Sequence, residues 1–410
     1  MDVTHEQVFL ARQPIFDRHK RVFGYELLFR APQGLRGATT ADQQSASLIS
    51  EAILAFGLDT LSHGRPTFVK VSRHVLLNGL PSALPANQMV IVLPDDAGDG
   101  GETIEAVERL KRQGYRVAVD HYAPHLEPGA VVQHADYLKI DVASITNPFE
   151  RSGVTLWTGP APVMVATHVE SPADFAAAAD YGCELFQGDF IGRPVMRATT
   201  GIPGNRLTYL RLFHALQNPD ISPRELEDLI KPDASLVYRL LRAVNSAAFA
   251  MHSRVDSIRQ ALVLLGYGTV RQWASLWAMT SFAPQAPDEL VAMAIVRGRT
   301  CEIVAAEDPS SSFGDGFLLG MSSLLDAILE IPMKDVLGHL PLPKDVDAAL
   351  RGEDNKNRQL LDCVIAHEHG HWDVARLLAE QAGIDPDAVP IAYGQALRWY
   401  GQYRRINQAA

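Results

Sequence analysis

Residues 115–141 read YRVAVDHYAPHLEPGAVVQHADYLKID: two apolar runs, Tyr115–Asp120 and Tyr137–Asp141, each closing on an aspartate. Runs of this kind, without strict apolar–polar alternation, are what strands covered on both faces look like, and strands separated by helices imply a parallel sheet. The same signal recurs upstream as VFLA from Val8, TFVKV from Thr67 and MVIVL from Met89, and downstream as VMVAT from Val163. Helices between the runs are signposted. Ser171-Pro172-Ala173-Asp174 supplies an N-cap, a proline at the first helical position and an acid in the first turn, and Gly182 follows as a stop. The pattern predicts an α/β barrel over residues 1–197, with a doubly wound sheet as the competing architecture.

Beyond the barrel the pattern changes. RPVMRATTGIPGN, Arg193–Asn205, loses periodicity and gathers Gly, Pro and Thr, which places a linker at 198–205. From 206 to 410 helical periods take over. Ser222-Pro223-Arg224-Glu225 is a capping box that opens an amphipathic helix to Ile230. Leu236, Leu240, Leu241 and Val244 then recur at helical spacing, as do Ile258, Leu262, Leu265, Val270, Trp273, Leu276 and Trp277. The chain is expected to be multidomain, an α/β barrel followed by an all-α domain, in keeping with 410 residues at about 150 per domain.

A hydrophobic content of 47% and a formal net charge of −11 describe a folded, acidic chain. Divided at Arg197, the halves carry −6 and −5, so neither offers a basic face to a phosphate backbone and no nucleic-acid partner is expected. Cys183, Cys301 and Cys363 stand far apart without CxxC spacing, which predicts buried free thiols in a reducing compartment. No secretory signal is visible, and the charge-free stretch Ser152–Val169 is broken by prolines and glycines. A cytoplasmic chain without a membrane span is expected.

In parallel barrels functional side chains sit at the carboxyl ends of strands. There the sequence offers Gln13, Glu26, Lys70, Asp95, Asp96, Asp120, Lys139, Asp141, Thr167, Glu170 and Gln187. Acids with lysines at a barrel mouth suggest a phosphate or metal site, although solvated strand ends have the same spacing. Ordered motifs narrow the choice. ARQPIFDRHKRVFGYELLFR (Ala11–Arg30), YLKID and FQGDFIGRP (Phe186–Pro194) closely resemble the EAL family of cyclic di-GMP phosphodiesterases, over about residues 8–195. That family has a modified TIM-barrel fold, and its active members hold two cations that activate water and stabilise the leaving oxygen.

The resemblance implies roles position by position. Glu26 is the signature glutamate, Arg30 the phosphate-contacting arginine, Asp120 the first of two paired aspartates, Lys139 the lysine that assists the attacking water and Gln187 the late glutamine. Four ligand positions depart from the pattern. Lys70 stands for an asparagine, Val92 for a glutamate, His121 for the second aspartate and Thr167 for a further glutamate, while Asp95 and Glu170 retain acidity nearby. Hard divalent cations require several oxygen ligands, so no metal, no cofactor and no catalytic residue is expected. Gln13, Glu26, Arg30, Asp120, Lys139 and Gln187 remain candidates for holding cyclic di-GMP, because arginine grips phosphate bidentately and lysine acts as a point charge. The alternative is that they persist for barrel packing and ion pairs.

The stretch from Leu226 to Trp273, which includes Val244-Asn245-Ser246, resembles the HDOD family, a helical, metal-free relative of HD phosphohydrolases. Ser323 and Leu324 fall where the metal-binding His-Asp pair of those enzymes would align, so no hydrolase chemistry is implied here either. Asn245 and Ser246 read as a helix-terminal cap rather than a binding handle. His367-Glu368-His369-Gly370-His371 satisfies H-E-x-x-H to the letter. Gly370 weakens any helix there and Trp372-Asp373 begins another, so a helix–helix junction is expected rather than a zinc site.

Together the motifs resemble bacterial EAL–HDOD signalling proteins. The resemblance implies a non-catalytic signal-transduction adaptor in cyclic di-GMP-linked control of motility, pili or biofilm, acting through protein–protein interaction. Implied partners are a kinase, a response regulator or a motility component, with cyclic di-GMP and a second copy of the chain as further candidates. Two other readings stand beside it: a phosphodiesterase with a metal site rebuilt from Glu26, Asp95, Asp120, Lys139 and Glu170, and a scaffold with no small-molecule ligand.

Overall fold

A computed structural model describes residues 9–30, 57–78, 84–93, 100–122, 130–145, 160–192, 212, 215–216, 221–245, 255, 257–266, 268–270, 273–274, 277–278, 286–307, 316–338, 340 and 342–409. By contacts the chain divides into two compact units. The first comprises Met1–Arg193, Ile365–Leu377 and Pro386–Gly394, and the second Pro194–Val364, Leu378–Asp385 and Gln395–Ala410. The linker expected at 198–205 lies outside the described residues. Residues 365–377 and 386–394, grouped with the helical half on sequence, pack with the barrel instead.

In the first unit eight strands close into a barrel in chain order: β1 (Phe9–Asp17), β2 (Val22–Arg30), β3 (Thr67–Lys70), β4 (Met89–Leu93), β5 (Arg116–Val119), β6 (Tyr137–Asp141), β7 (Val163–Thr167) and β8 (Leu185–Gln187). The barrel therefore prevails over the doubly wound sheet. Strands β2 to β8 pair in parallel, but β1 runs antiparallel to both β2 and β8, which corrects the all-parallel expectation. The cause is local. Asp17 Oδ1 accepts the N–H groups of His19 and Arg21, and Lys20 adopts a φ of 59°, so the chain reverses within a few residues and returns as a hairpin.

Strand alternation sends every second side chain into the barrel. Ile15, Phe68, Val90, Val92, Ala118, Tyr137, Val165 and Leu185 pack there as one cluster, with the Phe68 and Tyr137 rings edge to face at 5.2 Å. This apolar layer is the floor beneath the strand ends. Helices α1 (Leu58–Ser62), α2 (Arg73–Asn78), α3 (Gly101–Arg112) and α4 (Pro172–Tyr181) follow strands in the pattern of a barrel. Helix α4 begins and ends where its caps predict: Ser171 Oγ accepts from Asp174 N, the Asp174 carboxylate accepts from Ser171 N, and Gly182 closes it at φ 112°.

Among its described residues the second unit is helical. Helix α5 (Pro223–Ile230) starts on the expected capping box of Ser222 and Glu225. It is followed by α6 (Ala234–Val244), α7 (Ile258–Leu265), α8 (Asp288–Ala306), α9 (Gly316–Ser322), α10 (Leu325–Leu329), α11 (Met333–Leu337) and α12 (Lys344–Leu350). Helix α8 is buried along most of its length and on most faces, as befits a central helix. Asn245 takes the capping role: its Nδ2 donates to the Leu241 and Val255 carbonyls and its Oδ1 accepts from Val255 N. Ser246 lies outside the described residues. Three more helices, α13 (Lys356–Glu368), α14 (Trp372–Ala382) and α15 (Ala388–Ala409), complete the chain. The three cysteines are buried and none is in a disulfide, and burial pushes the Cys363 thiol up to about 12. No helix among the described residues is long and apolar enough to cross a membrane.

Candidate functional site

One turn of strand above the apolar floor, at the carboxyl ends of the parallel strands, polar side chains replace apolar ones. Register places Gln13 opposite Glu26 and Lys70 opposite Val92; Thr167 and Gln187 end their strands, Asp120 directly follows β5, and Lys139 is the central residue of β6. The structure brings most of the sequence candidates together here. Lys139 Nζ donates to both carboxylate oxygens of Glu26 at 2.9 Å, and both side chains are buried, 5% and 7% exposed. The same ammonium lies 3.7 Å from Asp120 Oδ1. From the other side Lys70 Nζ donates to Asp120 Oδ2 at 3.2 Å while remaining half exposed. Burial opposes ionisation of Asp120, but the Lys139 and Lys70 cations, aided by His121, outweigh it and hold the carboxyl below its usual range.

Two amides extend this ionic set. Gln187 Nε2 donates to Glu26 Oε2 at 2.5 Å and to Gln13 Oε1 at 2.9 Å. Gln187 Oε1 is buried without a hydrogen-bond partner among the described residues. Gln13 Nε2 in turn donates to the His369 carbonyl at 3.3 Å.

The four positions that depart from the EAL pattern make other contacts. Lys70 is committed to Asp120, Val92 is buried in the floor, and Thr167 Oγ1 donates to the Ile140 carbonyl. His121 adopts a φ of 48°, its N–H reaches Asp120 Oδ1, and its ring is half exposed. Arg30 is the last residue of β2, paired with Phe9; its side chain, like Asp95 and Asp96, lies outside the described residues. Glu170 is exposed, with its backbone N–H on the Asp174 carboxylate. Among the described residues no group of three or more His, Cys, Asp or Glu side chains is arranged to hold a metal ion.

The C-terminal turn His367–His371 lies beside this site. Helix α13 ends at Glu368, and Gly370, at φ 74°, closes it with paired bonds from Gly370 N to the His367 carbonyl and from His371 N to the Ala366 carbonyl. His367 and His371 therefore do not share a continuous helix, and the helix–helix junction is the correct reading of HEHGH. His367 Nε2 lies 3.1 Å from the Leu10 carbonyl, which places the ring proton on that nitrogen. Burial lowers the His367 pKa to about 4, against the pull of that carbonyl. His369 Nε2 sits 3.1 Å from Asp189 Oδ1. A Cβ at Gly370 would come within 2.6 Å of Leu28 Cδ1, so the turn lies flat against β2. Gly370 marked a turn in the sequence, but no local signal names the surface a turn will rest on.

In the helical unit, Ser323 Oγ accepts from Arg297 Nη1 at 3.0 Å and donates to the Gly320 carbonyl, while Leu324 is buried. A serine bonded to an arginine and a buried leucine thus occupy these two positions.

A family model described as HDOD domain matches residues 202–339. Over nearly its whole length the chain is similar to the uncharacterized protein YuxH of Bacillus subtilis, 27% identical over 402 residues, 96% of this chain and 98% of that one. It is also similar to the cyclic di-GMP phosphodiesterase CdgJ of Vibrio cholerae, 28% identical over 412 residues, 98% of this chain and 94% of that one. Among solved structures, the EAL enzyme Bd1971 in its cAMP-bound form aligns with 45% of this chain at 15% identity and a TM-score of 0.35; the match spans 62% of that chain, less than two thirds of its length.

Proposed function

We propose that this EAL–HDOD protein is a non-catalytic signal-transduction adaptor in cyclic di-GMP-linked regulation of motility, pili or biofilm. Its barrel mouth holds cyclic di-GMP without metal ions, and its helical unit engages a signalling protein such as a kinase, a response regulator or a motility component. The observation that supports this reading is the charge balance of the mouth. Glu26 and Asp120 are two anions, and Lys139 and Lys70 are two cations within 3.7 Å of them. A buried carboxylate needs a compensating charge, which a two-metal centre supplies with metal ions and this mouth supplies with lysines. The set is neutral as it stands. Two divalent ions would have to displace Lys70 from Asp120, and Lys70, Val92, His121 and Thr167 would give them no carboxylate or amide oxygen in return. The residues present therefore do not fit the metal pair of the family. They do fit a dinucleotide. The half-exposed Lys70 ammonium can meet a phosphate, and the buried Gln187 Oε1 can accept an N–H or O–H from base or ribose.

The name of CdgJ favours a second reading, a phosphodiesterase whose metal site is rebuilt from Glu26, Asp95, Asp120, Lys139 and Glu170. Calorimetry of the full chain with cyclic di-GMP in EDTA, then with magnesium or manganese, separates the two. The adaptor reading expects the same binding isotherm in both buffers and no linear dinucleotide by chromatography. Metal-dependent linear product would establish the second reading, and an absence of heat under all conditions would leave a scaffold with no such ligand.

A further inference from the structure

We propose that the C-terminal turn His367–His371 senses the state of the barrel mouth: the orientation of two glutamine amides sets whether residues 365–377 stay seated on the barrel. Where it concerns a ligand, this rests on the reading of the mouth as a nucleotide site.

The connection is a chain of hydrogen bonds with a fixed polarity. Lys139 donates to Glu26, Gln187 donates to Glu26 and to Gln13, and Gln13 donates to the His369 carbonyl. Each amide has one oxygen and one NH2 group, so orientation at one link dictates orientation at the next. Turning Gln13 over would set its NH2 against that of Gln187 and its oxygen against the His369 carbonyl, two repulsions in place of two bonds. The pair of amides therefore switches together or not at all. A ligand that takes the N–H of Gln187 leaves Gln13 Oε1 without its donor; one that rotates the Gln187 amide by donating to Oε1 sets oxygen against oxygen there, and Gln13 turning over to meet it takes its NH2 away from the His369 carbonyl.

The turn is built to respond. Its seat on the barrel includes the His367 ring on the Leu10 carbonyl, the His369 ring near Asp189, the His369 carbonyl on Gln13, and Gly370 against Leu28. Leu28 is two residues beyond Glu26 on β2, hence on the same face of the strand. The turn and the site glutamate thus share one strand as well as one hydrogen-bond chain. Coupling between them is reciprocal, so whatever loosens the turn changes ligand affinity by the same factor.

Hydrogen exchange on the full chain tests this in two arms. Without ligand, Gln187→Leu and the slimmer Gln187→Met remove the central link while leaving the groups on Gln13, Leu10, Asp189 and Leu28 that meet the turn unaltered. Peptides covering 365–377 are expected to exchange about fivefold faster, the order of one lost hydrogen bond, while peptides from β4 to β6 keep their protection as the folding control. Unchanged exchange at 365–377 in either folded variant overturns the proposal. With cyclic di-GMP at concentrations that saturate the calorimetric isotherm, the same peptides of the unmodified chain are expected to change exchange rate. A nucleotide that binds and leaves them unchanged overturns the proposal while the binding reading stands. A nucleotide that gives no heat removes the binding reading, and the first arm alone then decides whether mouth and turn are coupled.

Discussion

Lys139 and Lys70 compensate the same pair of carboxylates at different depths, and depth sets what each contributes. Lys139 is 5% exposed and binds both oxygens of Glu26; removing its ammonium leaves a carboxylate buried without its cation. Lys139→Met is therefore expected to destabilise the fold by about 3–5 kcal/mol. The Lys70 side chain is 46% exposed, where water and salt share the work of screening Asp120, and Lys70→Met is expected to cost at most about 1 kcal/mol. Urea denaturation of the two variants checks the contrast. The combination of Lys139→Met with Glu26→Leu should recover most of the loss, because it removes the stranded charge together with its partner. Equal, small effects of the two single variants would mean that Glu26 finds other compensation.

At the scale of elements, the junction of α13 and α14 carries a pH dependence of definite sign. His367 is neutral in the fold, with its pKa lowered to about 4, against about 6.5 for an unfolded chain. The unfolded chain therefore takes up the proton first. The stability that this ring contributes is complete above about pH 6.5 and falls progressively as the pH drops towards 4, by about 3 kcal/mol over the whole interval. Exchange of peptides covering 365–377, measured at pH 7 and at pH 4.5 with the intrinsic rate corrected, should report weaker protection at the lower pH. His367→Phe, which cannot charge, should flatten that dependence.

Elements such as this differ in how far the sequence declares them. Helices α4 and α5 were legible because Ser171 with Asp174, and Ser222 with Glu225, settle a helix start within four residues. The hairpin direction of β1 has no such signature, because it depends on Asp17 accepting two backbone N–H groups while Lys20 turns left-handed. Glu26, Lys139, Asp120 and Gln187 were legible as strand-end polar groups inside ordered motifs. The bond from Gln13 to His369 spans 356 residues, and no local pattern encodes a partner at that distance. Arg30 and Asp95 belong to the same motifs, and their side chains fall outside the described residues.

For the whole molecule, the proposed function turns on whether Lys139 and Lys70 take the place of metal ions by neutralising Glu26 and Asp120. If so, replacing Lys70, Val92, His121 and Thr167 by the oxygen-bearing residues of the pattern they depart from should create a need for metal. The variant Lys70→Asn, Val92→Glu, His121→Asp and Thr167→Glu removes one cation and adds three carboxylates around Glu26 and Asp120. Val92 lies fully buried in the apolar floor, so the added charge is costly until something pairs with it. Without metal this variant should melt below the parent chain. Manganese should then stabilise it by mass action, by about 2.7 kcal/mol at a hundredfold excess over Kd, which is a rise of several degrees in Tm for a domain of this size. The parent chain should show no such rise at the same manganese concentration, because Lys70 and Lys139 already occupy the electrostatic role of the ions. A parent Tm that climbs with manganese would place a metal in the mouth despite the lysines. A folded variant indifferent to manganese would mean that barrel geometry, not charge balance, keeps metals out.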